Sequence, residues 1–260
     1  MLRAFSTAAT GMSAQQKMVD TIANNLANIN TNGYKRRQAI FEDLLYVKLK
    51  QAGREVASGI KAPAEVEIGS GVKFAATAKV FTPGEMENTG RKSDMAIMGD
   101  GFFEVTLPSG ESRYTRDGSF FKNADGELVT ASGYAVEPAI AIPQDASDFG
   151  VGKDGTVTAS INGVATPLGQ IQLVKFSNAE GLSAEGGNLY SETESSGAPL
   201  IGVAGEDGYG IIQGGMLEKS NVQMVSELVN LITAQRAYEI NSRAIKTGDG
   251  MLQTANQLIR

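Results

Sequence analysis

A column of apolar residues spaced seven apart lies near the C-terminus of this chain and restricts how the chain can fold. The column consists of Met224, Leu231, Tyr238, Ile245, Leu252 and Ile259. Such spacing is typical of a helix that packs one stripe against helical partners. Ser220 followed by Gln223 has the spacing of a capping box and predicts that the helix begins there. From Ser220 to Ile259 it would be about 60 Å long, which is more than its own small domain can cover.

The neighbouring columns of this predicted helix are mixed. Apolar residues widen the stripe in the first half, at Val225, Leu228, Val229 and Ile232. Polar residues occupy the column that a two-stranded coil would fill with apolar side chains, at Gln235, Ser242, Asp249 and Asn256. The mixture predicts a helix packed among several neighbours with some polar contacts. An ordinary amphipathic helix lying on its own domain is the alternative interpretation.

The N-terminal segment has the same spacing and very little charge. Its apolar positions are Phe5, Met12, Val19 and Leu26, with Ile22 and Ile29 beside them. The charged residues of the first thirty or so are Arg3, Lys17 and Asp20, and a helix this neutral is expected to have protein on most sides. Residues 30–33, Asn-Thr-Asn-Gly, favour the left-handed conformation that ends a helix. We therefore predict that these positions and the C-terminal column form subunit interfaces.

Composition narrows the possible chemistry. The chain has no cysteine and no histidine, which removes disulfides, thiol nucleophiles, zinc-finger ligand sets and histidine acid–base catalysis. With 23 Lys and Arg against 29 Asp and Glu, it is not expected to bind nucleic acid. No apolar run approaches the ~20 residues that span a bilayer, and the N-terminus does not resemble a cleaved secretory signal. The acidic residues do not show metal-ligand spacing, so we expect no metal and no cofactor.

The middle of the chain changes from helical to strand periodicity. After a basic connector, in which residues 42–51 are predicted to be helical, short runs rich in Val, Phe, Thr and Tyr alternate with turn dipeptides such as Asp117-Gly118 and Asp154-Gly155. This pattern predicts an antiparallel all-β domain. The predicted class is α+β, with the two end helices pairing as a coiled-coil-like element. The predicted domains are 1–33 with 220–260 (helical assembly domain), 34–93 with 189–219 (irregular, extended connector) and 94–188 (central β-domain).

Two sequence motifs resemble catalytic or binding motifs. Residues 150–155 have the glycine spacing of a dinucleotide-binding loop, but the strand-like Thr156–Ser160 follows them where a helix is required, so a hairpin is predicted. Ser58 and Lys61, Ser93-Asp94, and residues 246–248 (Lys-Thr-Gly) follow the order of the penicillin-binding serine acyltransferase motifs. The middle element of this set, Ser93-Asp94, is incomplete, because Met95 stands where asparagine is usual. In addition, residues 246–248 fall inside the predicted helix. A serine hydrolase is therefore kept only as a rival hypothesis.

Several segments resemble the bacterial flagellar rod and hook protein family. Residues 23–35 (ANNLANINTNGYK) are similar to its N-terminal signature. Residues 220–222, 227–229, 235–241 (QRAYEIN) and 251–252 are similar to its C-terminal end. Residues 99–103 (GDGFF) and 114–119 (YTRDGS) resemble its central β-domain. The overall length and residues 41–46 and 195–199 are most similar to the distal rod members.

The resemblance implies a structural protein whose terminal helices line the inner tube of a helical homopolymer, with the connector and β-domain outside. It implies further partners, namely proximal rod proteins, the hook protein, the surrounding rings and the flagellar export apparatus. It also implies a place in the periplasm-spanning rod of the basal body, reached without a cleaved signal peptide. A proximal rod or hook subunit is the alternative within the family. Because it has no apolar run long enough to span a bilayer, the chain is not expected to insert into a membrane.

Overall fold

The computed structural model describes residues 2–50, 55–57, 60–61, 65–161 and 163–258. The chain separates into two compact units. The terminal unit consists of Met1–Leu26, Arg37–Ala78 and Gln223–Arg260. The β-unit consists of Ala27–Arg36 and Lys79–Val222.

Two long helices lie at the two ends of the described chain. Helix α1 spans Leu2–Ala27 and helix α2 spans Met224–Leu258. The 35 residues of α2 give a length of about 52 Å at 1.5 Å per residue. The end of α1 before residues 30–33 and the unbroken course of α2 confirm the predicted helices, except at the start of α2.

The predicted capping box at Ser220 is wrong, because α2 begins three residues later. The Oγ of Ser220 accepts a hydrogen bond from the nearby Val222 N at 3.3 Å. The amide of Asn221 donates to the carbonyls of Val80 and Thr82 at 2.8 and 3.0 Å. Its Oδ1 accepts a bond from Arg36 N at 2.7 Å. These contacts hold the backbone out of helical geometry, so that the Gln223 carbonyl accepts the helical bond from Glu227 N at 3.0 Å.

The segment after α1 is built from short strands. They are β1 (Arg37–Asp43), β2 (Val47–Lys50), β3 (Glu55–Ala57), β4 (Ile60–Lys61), β5 (Val66–Ile68) and β6 (Val72–Lys79). They pair as β1 with β6, β2 with β5 and β3 with β4. The predicted helix at residues 42–51 is therefore wrong over its described part. Pairing with strands some 20 to 30 residues later, including an edge-on contact of Phe41 with Phe74 at 5.8 Å, overrides the local preference.

The described residues of the β-unit form sixteen further strands. They are β7 (Met86–Asn88), β8 (Met95–Met98), β9 (Phe103–Thr106), β10 (Ser112–Thr115), β11 (Phe121–Lys122), β12 (Leu128–Val129), β13 (Ala135–Val136), β14 (Ala146–Val151), β15 (Thr156–Ile161), β16 (Val164–Gln170), β17 (Gln172–Lys175), β18 (Ser183–Gly186), β19 (Leu189–Ser191), β20 (Leu200–Val203), β21 (Ile211–Gly214) and β22 (Met216–Glu218).

These strands form antiparallel sheets. The largest has the order β11-β12-β13-β9-β10-β19-β18, and a three-stranded sheet has the order β14-β15-β16. Smaller pairs join β17 to β20, β8 to β21 and β7 to β22. In the hairpin of β14 and β15, Val151 lies opposite Val157, so the glycine motif at 150–155 is a hairpin turn as predicted. Two end helices and a central antiparallel β-region confirm the α+β class.

The core of the β-unit has two adjoining parts. The larger part is a mainly aliphatic cluster with two phenylalanines, and it includes Met95, Ile97, Phe103, Val105, Phe120, Val157, Ile171, Leu173 and Ile212. The smaller part is aromatic, and in it Phe102, Tyr114, Phe176 and Tyr190 meet edge to face. Burial raises the pKa of Tyr114 to about 12, so this phenol is neutral in the folded protein.

Substituting Gly118 tests how closely the backbones approach in this core. A Cβ at Gly118 would lie 1.5 Å from the Met95 carbonyl oxygen, whereas a Cβ at Gly150 meets nothing within 4 Å. We expect Gly118→Ala to lower the free energy of unfolding by at least about 3 kcal/mol, because the backbones must separate. We expect Gly150→Ala to change it by less than about 0.5 kcal/mol. Urea denaturation of both variants checks this, and equal midpoints would contradict it.

Candidate assembly surface

Over their described residues, the two helices of the terminal unit approach each other at several positions along their length. Asn25 Nδ2 donates to Glu227 Oε2 at 3.4 Å. A Cβ built on Gly11 would lie 2.9 Å from Asn241 Nδ2, and one built on Gly248 would lie 2.6 Å from Phe5 Cε1. As the residue number rises along α1 it falls along α2, so the two helices run antiparallel through these contacts.

The side of α2 that meets α1 is lined by small and polar residues. Glu227, Ala234 and Gly248 are buried and Asn241 is half-buried, and these positions are seven apart. Asn25 is also buried, and its side-chain amide pairs with the backbone of Arg37 at 2.8 and 2.9 Å. The apolar heptad pattern did not identify these inward positions. Their own seven-residue spacing was the available signal.

A second face of α2 is apolar and exposed. Val225, Leu228, Val229 and Ile232 keep 75, 40, 55 and 52 % of their surface accessible. At 3.6 residues per turn they share an arc of about 100°, which is centred roughly opposite the face that meets α1. Met224, Tyr238, Ile240 and Met251 are exposed as well. An apolar face of this kind on one helix is a typical protein-binding surface. We call the face formed by Val225, Leu228, Val229 and Ile232 the outer face of α2.

The predicted interface residues lie at different depths within this chain. Ile22 is buried, and partly buried positions are Phe5, Met12, Val19, Leu26, Ile29, Leu231, Ile245 and Leu252. Met224 and Tyr238 are exposed by 51 and 43 %, and Ile259 lies outside the described residues. On α2 this column lies three residues before Glu227, Ala234, Asn241 and Gly248, so it stays about 60° to one side of the face that meets α1. The role of the predicted interface residues between subunits stays a prediction.

The strands of the terminal unit add another exposed apolar surface. Leu45 is 88 % accessible and Leu49 is 56 % accessible. Other exposed apolar side chains of this segment are Ile40, Tyr46, Val47, Val66, Ile68 and Phe74. Short two-stranded sheets with apolar side chains in water are marginal by themselves. The terminal unit thus presents apolar surface from both its helices and its strands.

Charge is distributed unequally between the two units. The ranges of the β-unit contain 20 Asp and Glu against 11 Lys and Arg, whereas the terminal unit has 9 against 12. The whole negative balance of the chain therefore lies in the β-unit. Like charges on neighbouring copies oppose association, and the terminal unit, at a net +3, carries less of this repulsion than the β-unit, at a net −9.

The β-unit encloses a cluster of three buried charges. Lys35, Arg116 and Glu218 have accessible fractions of 2, 3 and 1 %. Lys35 Nζ lies 2.6 Å from Glu218 Oε1, and Arg116 Nη1 lies 3.7 Å from Glu218 Oε2. Lys35 also donates to the Thr82 carbonyl at 3.0 Å, and Arg116 to the Gly99 carbonyl at 2.8 Å. We call these three residues the ion cluster.

Burial dominates the electrostatics of the ion cluster. It lowers the pKa of Lys35, with a further lowering from Arg116, although the Glu218 carboxylate acts in the opposite direction. Burial also lowers the pKa of Arg116, again against the attraction of Glu218. Glu218 is thus the largest charge that offsets the loss of hydration of both cations, and Asp100 adds a smaller contribution for Arg116.

The segments that resemble the flagellar family meet at this cluster and at the helix contact. Lys35 ends the N-terminal signature, Arg116 belongs to residues 114–119, and its partner Gly99 begins residues 99–103. Asn25 and Glu227 join the two terminal signatures within the terminal unit. The backbone also contributes, since Gly33 N donates to the Glu218 carbonyl at 2.8 Å. The motifs thus hold the chain together and show no catalytic arrangement.

The hydrolase hypothesis finds no support in the described residues. Lys246, Thr247 and Gly248 lie inside α2, whereas that chemistry needs them on a strand. Ser58 lies outside the described residues. Within the part of the chain that is described, no group of acidic side chains is placed to hold a metal ion. Neither described helix has a stretch apolar and long enough to cross a membrane.

Comparison with known sequences gives the family. Residues 5–35 match the family described as flagella basal body rod protein. Residues 96–159 match the flagellar hook protein FlgE/F/G D1 domain, and residues 213–258 match the flagellar basal body rod FlgEFG protein C-terminal family. The chain belongs to the flagellar basal-body rod protein family, whose members are structural proteins and not enzymes.

Full-length relatives are more specific. The chain is 47 % identical to the flagellar basal-body rod protein FlgG of Borreliella burgdorferi over 264 residues, covering 100 % of both chains. It is 46 % identical to FlgG of Caulobacter vibrioides over 99 % of both chains. It is 36 % identical to FlgG of Bacillus subtilis over 100 % of both chains.

Two glycines of α2 test the helix contact. Gly248 faces Phe5, whereas a Cβ at Gly250 meets nothing within 4 Å. We expect Gly250→Ala to stabilise the terminal unit by about 1 kcal/mol, because alanine is the better helix former. Gly248→Ala should lose that gain, because its Cβ displaces the Phe5 ring. Thermal melting followed by helical circular dichroism checks this. An equal gain in both variants would show that α1 and α2 do not pack at this position.

Proposed function

We propose that this chain is a structural subunit of the distal part of the flagellar rod, where many copies assemble helically into a shaft that transmits torque from the motor to the hook. The observation that carries the proposal is the outer face of α2, which is apolar, exposed and opposite the face that meets α1. The identity to FlgG proteins along the whole chain supports the same function.

The outer face of α2 can supply the association energy. Burying one Val, Leu or Ile side chain fully contributes ~1.5–3 kcal/mol, and these four are already partly covered, so each contributes less. One contact is therefore modest, but each subunit in a helical assembly has several neighbours. A contact between two different surfaces of identical chains does not close on itself, and so it produces a filament.

The proposal includes a domain arrangement for the subunit. In this proposal, residues 1–33 and 220–260 pair as a coiled-coil-like element that forms the inner layer of the shaft. The next layer is formed by residues 34–93 with 189–219. The layer outside that is formed by residues 94–188. The antiparallel contacts at Phe5, Gly11 and Asn25 support the pairing of the helices. The small and polar residues between them make this seam different from a leucine zipper.

The partners are proposed from the family. Within the basal body, proximal rod proteins and the hook protein would contact the two ends of the shaft, and the surrounding rings would face its outer layer. The acidic β-unit favours a ring surface that carries basic side chains. Passage through the flagellar export apparatus would bring the chain to the periplasm. A proximal rod or hook subunit is the alternative, since the matched D1 family takes its description from hook and rod proteins together.

A charge on the outer face of α2 tests the proposal. We expect Ile232→Asp to abolish polymerisation and motility, because an unpaired carboxylate would be buried between copies. The β-unit of this variant should keep its native denaturation midpoint. Thr233→Asp is the matched control, since this residue is also exposed but lies about 100° around the helix. Sedimentation velocity and swimming assays in a strain that lacks the native subunit provide the measurement. Normal filaments from Ile232→Asp would contradict the proposed role of the outer face.

A further inference from the structure

The ion cluster joins three distant parts of the chain. Lys35 follows α1, Arg116 follows β10, and Glu218 ends β22, which is the last strand before α2. Lys35 and Glu218 are separated by 183 positions along the sequence. A protein synthesised from its N-terminus therefore acquires the two cations long before it acquires the anion.

The charges of the cluster do not cancel. Two cations share a single carboxylate, and all three side chains have 2 % or less of their surface accessible. Removing one partner of a buried ion pair is strongly destabilising, because the remaining charge has neither water nor counter-ion. Loss of Glu218 would leave two such cations, whereas loss of Lys35 would leave one cation with one anion.

Glu218 also closes the surrounding backbone. Its Oε1 accepts a hydrogen bond from Gly84 N at 2.8 Å, and its carbonyl accepts one from Gly33 N at 2.8 Å. Glu218 lies opposite Met86 where β22 pairs with β7. Glu218 forms ion pairs with two buried cations and accepts hydrogen bonds from two backbone amides. Placing this residue in the cluster therefore lowers the free energy of the whole folded β-unit.

We propose that Glu218 is a closure residue, and that the β-unit reaches its folded state only after β22 has delivered this carboxylate to Lys35 and Arg116. The ion cluster then acts as a check on chain completion. A chain that has not yet supplied residue 218 stays open, although the strands of the main sheet are already present. This inference does not depend on the proposed function in the rod.

Neutral variants of the full-length chain test the closure. We expect Glu218→Gln to raise the equilibrium constant for unfolding of the β-unit at least about 100-fold. Lys35→Met should have an effect at least about tenfold smaller, because Arg116 and Glu218 still balance. The double variant Lys35→Met with Glu218→Gln should be more stable than Glu218→Gln alone, because it buries one uncompensated cation in place of two. Urea denaturation of the three proteins measures these constants.

The exposed ion pair beside the cluster provides the matched control. Glu87 lies on β7 and pairs with Lys219 at 3.2 Å, with about half of each side chain accessible. Glu87→Gln should change the unfolding constant less than about threefold, as expected for an ion pair in water. If Glu218→Gln behaves like this control, or if the double variant is less stable than Glu218→Gln, the proposal is overturned. The same holds if Lys35→Met unfolds the β-unit as fully as Glu218→Gln does.

Hydrogen exchange separates closure of the whole unit from a local effect. In Glu218→Gln, the amides of β9 and β10 should lose protection together with those of β7 and β22. A loss confined to residues near 33–36, 82–88 and 216–221 would show that Glu218 stabilises only its surroundings, and would reject the closure. Where Glu218→Gln is too unstable to measure, Lys35→Met still decides the proposal, because it keeps the Glu218 carboxylate beside Arg116 and is expected to remain folded.

Discussion

The terminal unit depends on the contact that α1 makes along one face of α2. Small residues let the helices approach where Gly11 meets Asn241 and Gly248 meets Phe5, and the buried Asn25–Glu227 bond fixes their alignment. Because α2 is about 52 Å long and α1 covers one side of it, the outer face stays in water. The same contact that orders the subunit therefore leaves the surface with which we propose that it assembles.

The β-unit is held together by different interactions. Its short antiparallel strands bury a two-part core, and the ion cluster brings together residues 35, 116 and 218 from distant parts of the chain. Buried charges are costly by themselves but make the arrangement specific, because a misplaced segment leaves one of them unpaired. This explains why the segments that identify the family contain the residues that hold the chain together. None of these residues is placed for catalysis.

Much of this arrangement could be predicted from the sequence. The apolar periods at both ends indicated two long helices, and the Asp-Gly turns indicated an antiparallel β-region. Three features could not be obtained in this way. Ser220 has the form of a cap, but the contacts of Asn221 delay the helix. Residues 42–50 look helical locally, but pairing with later strands makes them extended. The inward face of α2 is small and polar, so a search for apolar residues finds other faces of the helix, including the exposed one.

In the assembled shaft, we expect other copies of the chain to cover the outer face of α2. Hydrogen–deuterium exchange read by mass spectrometry, compared between the dilute monomer and the assembled filament, measures this. Amide exchange along residues 224–240 should slow strongly on assembly, because contacts between copies suppress the opening of the helix. The exchange of β9 and β10 should stay unchanged, since their core is complete within one chain. Equal exchange of residues 224–240 in both states would contradict the account.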